Sequence, residues 1–286
     1  MSEQPPVGGA REESDADSPA FDEGRYLYCV VDVTGGTEAA VPETGIEGGE
    51  PYLVRQGGLG VVVQACDSPF DSTDVDTVKR WLLRHQSVVD GAGEAFGTPL
   101  PFRFDTVLKG DDEQVREWLD EESDALRDAL DDLAGRWEYR IEVVRNREAL
   151  ERRLSAEDEE LSELRRKRDD ASEGTGFLIE KQYEQRLGRL VESALDEEAA
   201  ALADRLCDVA AEVRPVERTA SPLGEGRGAN GDEERTSLAV LAAEEREGEI
   251  GDVLDEVAAR PEVEVRFTGP WPPYSFAPAI GDGGDG

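Results

Sequence analysis

Few side chains of this 286-residue chain could carry chemistry. His85 is the one histidine. It falls on the apolar face of a helix-patterned segment, so a hydrogen-bonded structural role is expected, with a catalytic or switching role as the alternative. A Ser-His-Asp triad could use only that residue, and no Gly-x-Ser-x-Gly turn exists to present a serine. Cys29, Cys66 and Cys207 are far apart, and with a single histidine they give no zinc-ligand spacing. Their odd number argues against a disulfide framework. Cys29 and Cys66 lie in apolar strand-like runs and read as small core hydrophobes. The run from Gly224 to Ala229 imitates a dinucleotide fingerprint, but no strand precedes it and no helix opens within it. There is no Walker-type phosphate loop, and carboxylates are so abundant that no pair of them is specific. None of these residues forms a recognisable catalytic, metal-binding or cofactor-binding constellation.

Binding chemistry is better represented. In Thr268-Gly269-Pro270-Trp271-Pro272-Pro273-Tyr274-Ser275-Phe276, Pro270, Pro272 and Pro273 fix φ and remove three backbone donors. Helix and central strand are excluded there. What remains is a stiff, extended arm carrying Trp271, Tyr274 and Phe276, which loses little chain entropy on docking. The arm can staple the tail onto the protein's own domains, bind a partner, or do both. A second stiff segment, Pro99-Leu100-Pro101-Phe102-Arg103-Phe104, is extended because each proline restricts the residue before it. Arg103, between Phe102 and Phe104, is expected to pair internally with a carboxylate, the alternative being an anchor for an external one.

Composition bounds the surroundings of these residues. Asp and Glu number 67 against 31 Lys and Arg, a net charge of −36, and only four of the basic residues are lysines. Such a chain is either disordered or folded in concentrated salt, where a screening length of about 3 Å at 1 M removes most carboxylate repulsion. Periodic apolar segments run through most of residues 24–276 and favour the folded, halophilic reading. A surface this negative repels phosphates, which argues against nucleic acid. No apolar run reaches membrane-spanning length, and no signal-peptide pattern is present.

The elements follow from periodicity. Residues 1–23 offer no apolar face and read as a disordered acidic leader. Residues 24–134 read as an N-terminal α+β sheet domain. It has a strand at 25–31 and a hairpin of 52–54 with 59–63 turning at Gln56-Gly57-Gly58. A helix capped by Asp74 ends near Gly91, and a second runs from Asp111 and Asp112 to Gly135. Residues 135–276 read as a second domain. It comprises a strand at 137–144, long helices over 147–211, a strand near 215, a mobile loop at 220–235, a strand at 237–241, a helix at 250–257, a strand at 263–267 and the arm at 268–276. The long helices divide into 147–171 and 177–211 at Gly174-Thr175-Gly176, as a hairpin or a kinked rod. This is the split βαβ, ferredoxin-like order with an enlarged first helical crossover. Residues 277–286 read as a flexible tail.

Several of these stretches resemble one family. They are Tyr26–Val31, His85 with the downstream Pro99–Val107 run, the Trp137–Val144 strand, Gly176–Lys181 and the closing Gly269–Phe276 run. Together they resemble the gas vesicle accessory proteins F and L, over about residues 24–276. The length and acidic composition suggest the longer L type of a halophilic archaeon. The resemblance implies two α+β domains, one of them ferredoxin-like, and a non-enzymatic role in assembling gas-filled vesicles. It also implies cytoplasmic contact with the small hydrophobic shell protein and with other accessory proteins. The alternatives are a halophilic α+β enzyme acting on a small molecule in a polar pocket around His85 and Arg103, or a scaffold that binds only other accessory proteins through its long helices.

Overall fold

The structure, a computed structural model, describes residues 22–35, 41, 44–216 and 233–278. Its first half holds β1 (Gly24–Asp32), β2 (Tyr52–Gln56), β3 (Leu59–Cys66), α1 (Val75–Phe96), β4 (Leu100–Pro101), β5 (Val107–Lys109), α2 (Asp112–Glu121) and α3 (Ser123–Leu133). The second half holds β6 (Arg136–Asn146), α4 (Arg147–Glu157), α5 (Glu159–Asp169), α6 (Glu173–Cys207), β7 (Glu212–Pro215), β8 (Glu233–Ala243), α7 (Glu247–Ala258) and β9 (Val263–Trp271).

The strands form two antiparallel sheets. The first has the order β2-β3-β1-β4, with β5 also paired to β1. The second has the order β7-β8-β6-β9. β1 is central and apolar on both faces, and it is covered on both. Tyr26, Tyr28 and Val31 face α1, where Trp81, Val88, Val89 and Ala92 cover them. Leu27 and Val30 face the opposite way, onto a cluster built with Leu119, Leu126, Leu130 and Leu133 of α2 and α3. That cluster also contains Ala239 and Leu241 of β8, so the two sheets share apolar packing. The alternation of Tyr139, Ile141 and Val143 places all three on the far face of the second sheet, against Leu202 and Leu206 of α6 and Ile250, Leu254 and Val257 of α7.

Local rules account for most boundaries. The Asp74 carboxylate accepts from the backbone N–H groups of Asp76 and Thr77, capping α1. Asp111 and Gln114 form a reciprocal capping box at α2. The helix after Asp74 runs on to Phe96 and stops at Gly97, beyond the expected end at Gly91. The expected single helix from 112 to 133 is broken at Glu122 into α2 and α3.

The expected 147–171 helix is likewise two, because Asp158 caps a new start with a 2.8 Å bond from Leu161 N–H. Gly174-Thr175-Gly176 lies inside the first turns of α6; the chain reverses at 170–172 instead. Helices α5 and α6 form a hairpin, held by Arg186 on Asp158, Arg168 on Glu180 and the Arg165–Tyr183 hydrogen bond. Strand β8 begins at Glu233, so residues 233–235 of the expected 220–235 loop are strand. The rest of that loop, residues 1–21 of the leader and residues 279–286 of the tail lie outside the described residues.

Candidate functional site: the C-terminal arm and the buried histidine

Strand β9 continues past its expected end, through Pro270 to Trp271. Proline is tolerated because β9 is an edge strand, where the missing N–H has no ladder partner to serve. The register slips between Glu138 and Arg140 of β6, and Gly269 sits at the slip with φ 134°. A Cβ there would lie 2.9 Å from the Glu138 carbonyl oxygen, so only glycine lets the two backbones come this close.

Beyond Trp271 the arm folds inward. Pro272 and Pro273 are buried, and their carbonyls accept from the N–H groups of Tyr274 and Phe276 at 2.8 and 3.0 Å. Ser275 donates twice to Glu138, from its N–H at 2.7 Å and its hydroxyl at 3.0 Å. Arg214 of β7 donates to the Ser275 carbonyl at 2.6 Å, and its guanidinium lies 4.8 Å from the centre of the Phe276 ring. Phe276, 6% exposed, completes the cluster that joins Leu27, Val30 and Phe102 to Ala239 and Leu241. The Tyr274 ring lies 6.3 Å from the His85 ring, and burial drives its phenol well above the ordinary value. Trp271 differs from the other two aromatics. It is 39% exposed, and its indole N–H has only a long 3.4 Å bond to the Thr268 hydroxyl.

His85 is held from both ring nitrogens. The Tyr26 hydroxyl donates to Nδ1 at 2.8 Å, and Nε2–H donates to the Phe102 carbonyl at 3.2 Å. The Tyr26 oxygen also accepts from the Asp105 N–H. Tyr28 stacks on the imidazole at 5.4 Å, and the Tyr28 hydroxyl donates to Gln64. Burial lowers the His85 pKa from 6.5 to about 4, against the opposing effect of the Phe102 carbonyl. The ring is therefore neutral near pH 7 and far from the value a general base would need.

The Pro99–Phe104 segment splits its side chains. Phe102 joins the inter-sheet cluster beside Trp118, while Phe104 packs on the α1 side against Tyr26. Arg103 between them is exposed and forms no ion pair among the described residues, so the expected internal pairing is absent there. The sequence-derived residues thus converge at two points. Phe102 meets Phe276 within one cluster, and His85 meets Tyr274. Trp271 and Arg103 stand outside both. Glu138, Ser275 and Arg214, which fasten the arm, escaped the sequence reading. Glu138 reads there as one of the polar positions alternating with Tyr139, Ile141 and Val143.

The arrangement is that of a mixed α+β protein in which Phe102 and Phe276, and His85 and Tyr274, bring distant segments together. Residues 24–278 match the family described as gas vesicle synthesis protein GvpL/GvpF, and the chain belongs to that family. It is 42% identical over 258 residues to gas vesicle protein L1 of Halobacterium salinarum, covering 90% of this chain and 92% of that one. It is 36% identical to gas vesicle protein L of Haloferax mediterranei, covering 91% and 89%. Its fold is similar to the crystal structure of gas vesicle protein GvpF from Microcystis aeruginosa, with a TM-score of 0.64 at 20% identity over 89% of this chain and 99% of that one. Among the described residues no helix is long and apolar enough to cross a membrane.

Proposed function

We propose that this chain is a non-enzymatic accessory protein that binds the hydrophobic shell protein during gas vesicle assembly. Two α+β domains meet near residue 135 in this reading, the second ferredoxin-like in its strand order. The arm fixes one against the other. The shell protein exposes apolar surface that must not aggregate before it polymerises. An apolar face bordered by the arm and the N-terminal sheet covers that surface, while the acidic exterior keeps the complex soluble. The observation that carries this is the division of labour along the arm. Phe276 is buried between the sheets and Tyr274 leans on His85, yet Trp271 is left in solvent on the same proline-stiffened segment. A large aromatic held on a rigid support at the surface is the usual anchor of a protein interface.

Other accessory proteins are the second class of partner, and the complex forms in the cytoplasm on vesicles or their precursors. The enzyme reading loses support because His85 is sealed at 3% exposure with both nitrogens occupied by the protein itself. The test is co-purification in molar KCl of the tagged chain with the shell protein and, separately, with each accessory protein. Retention of the shell protein is expected; retention of accessory proteins alone would replace this reading by the scaffold.

A further inference from the structure

The helical hairpin holds a surface that the arm does not explain. Phe177 and Leu178 on α6 are 64% and 63% exposed, more than any other large apolar side chain among the described residues. They belong to one outward strip at helical spacing: Gly174, Phe177, Leu178, Lys181, Gln185, Gly188, Arg189 and Glu192, all exposed. The opposite face of α6, with Tyr183, Leu187 and Val191, turns toward α4 and α5. Gly188 is unexplained within one chain. Glycine is the poorest helix former after proline, it sits mid-helix, and a Cβ placed there would meet nothing within 4 Å. Arg189 bonds only to the Gln185 carbonyl and forms no ion pair among the described residues.

Charge selects the occupant. Residues 147–190 carry ten basic and twelve acidic side chains, in a chain whose totals are 31 and 67. That stretch, from α4 to the middle of α6, is therefore close to neutral while the remainder of the chain holds nearly all of the −36. Two copies therefore meet less net repulsion across this stretch than over an average stretch of the chain. The strip is also complementary to itself. When two α6 helices lie antiparallel with the two-fold axis between Lys181 and Gln185, Leu178 of each copy falls opposite Gly188 of the other. Phe177, whose ring already has the Lys181 ammonium 6.0 Å from its centre, then falls opposite the guanidinium of Arg189, which would stack on the ring's other face. A side chain standing over a glycine lets the helices approach closely. The two-fold lies roughly 28 Å along the helix from Leu202, where α6 enters the body, at 1.5 Å per residue. That distance exceeds the screening length in salt, so the acidic bodies stay apart.

We infer that the outward face of α6 is a self-association surface through which two copies of this chain dimerise, antiparallel and two-fold symmetric, by Leu178 over Gly188 and Phe177 over Arg189. The test is sedimentation velocity on the full chain at about 1 M KCl over a concentration series. A reversible monomer–dimer equilibrium is expected, weakening as KCl is lowered and the bodies repel more strongly. Leu178→Glu and Gly188→Glu should each weaken it by at least about tenfold. Glutamate improves helix propensity over glycine, so lost dimer in Gly188→Glu with unchanged helical circular dichroism is not unfolding. In a Cys207→Ser background, Leu178→Cys with Gly188→Cys should give a disulfide-linked dimer on mild oxidation. A wild-type chain that is monomeric throughout overturns the inference. So does a dimer left intact by both glutamate variants, or a cysteine pair that yields no covalent dimer.

Discussion

Ser275 and Glu138 are joined twice: the Ser275 N–H donates to one carboxylate oxygen at 2.7 Å and its hydroxyl to the other at 3.0 Å. Glu138 is buried in β6, with the exposed Arg140 beside it as ion partner. A buried carboxylate is costly unless its oxygens are satisfied. The arm therefore serves the strand as much as the strand holds the arm.

Glu138→Leu should accordingly destabilise by about 2–3 kcal/mol, because it leaves the half-buried Ser275 N–H without its acceptor and removes two charge-assisted bonds. Urea unfolding in high salt measures the loss. Hydrogen exchange at Ser275 and Phe276 should accelerate before the rest of the chain responds.

Within the arm, Phe276→Ala and Trp271→Ala should separate. Phe276 fills the cluster between the sheets and its loss should cost about 3–5 kcal/mol. Trp271 is half in solvent, and its truncation should cost under about 1 kcal/mol. Equal costs from the same urea series would contradict the placement of these rings.

The buried histidine sets a pH dependence of defined sign. The folded value, about 4, lies below the ordinary 6.5, so the unfolded chain takes up the proton first as pH falls. The contribution is fully present above about pH 6.5 and is lost progressively down to about pH 4, to a total of about 3 kcal/mol. His85→Gln lowers stability at pH 7 but abolishes this part of the slope. The difference between wild-type and variant stability should shrink between pH 7 and pH 4.5, with carboxylate effects common to both cancelling.

A chain carrying −36 should also depend on salt. Melting temperature should climb steeply from about 0.1 to about 2 M KCl as the screening length falls from about 10 Å to below about 3 Å. A flat profile over that range would contradict the halophilic reading.

Much of this was legible in the residues. Alternation at Tyr139, Ile141 and Val143 and the cap at Asp74 are local signals, and local structure obeyed them. The proline-rich run named the arm, and the apolar spacing around His85 gave its burial. What could not be read were relations between distant segments. Glu138 looks like any solvent-facing strand residue until Ser275 arrives 137 positions later. Composition offers Arg103 many carboxylates, but neighbours that turn to opposite faces of the first sheet leave it in solvent. Apolar spacing runs unbroken through the splits at Glu122 and Asp158, and only the Asp158 cap marks a new start.

The central claim is that the exposed aromatic of a rigid arm engages the shell protein. The most direct measurement is the amount of purified shell protein retained in molar KCl by the wild-type chain and by Trp271→Ala, with urea unfolding of both alongside. The account predicts retention by the wild type and loss of it in Trp271→Ala at nearly unchanged stability. A wild type that retains no shell protein, or a Trp271→Ala chain that retains it in full, would contradict the account.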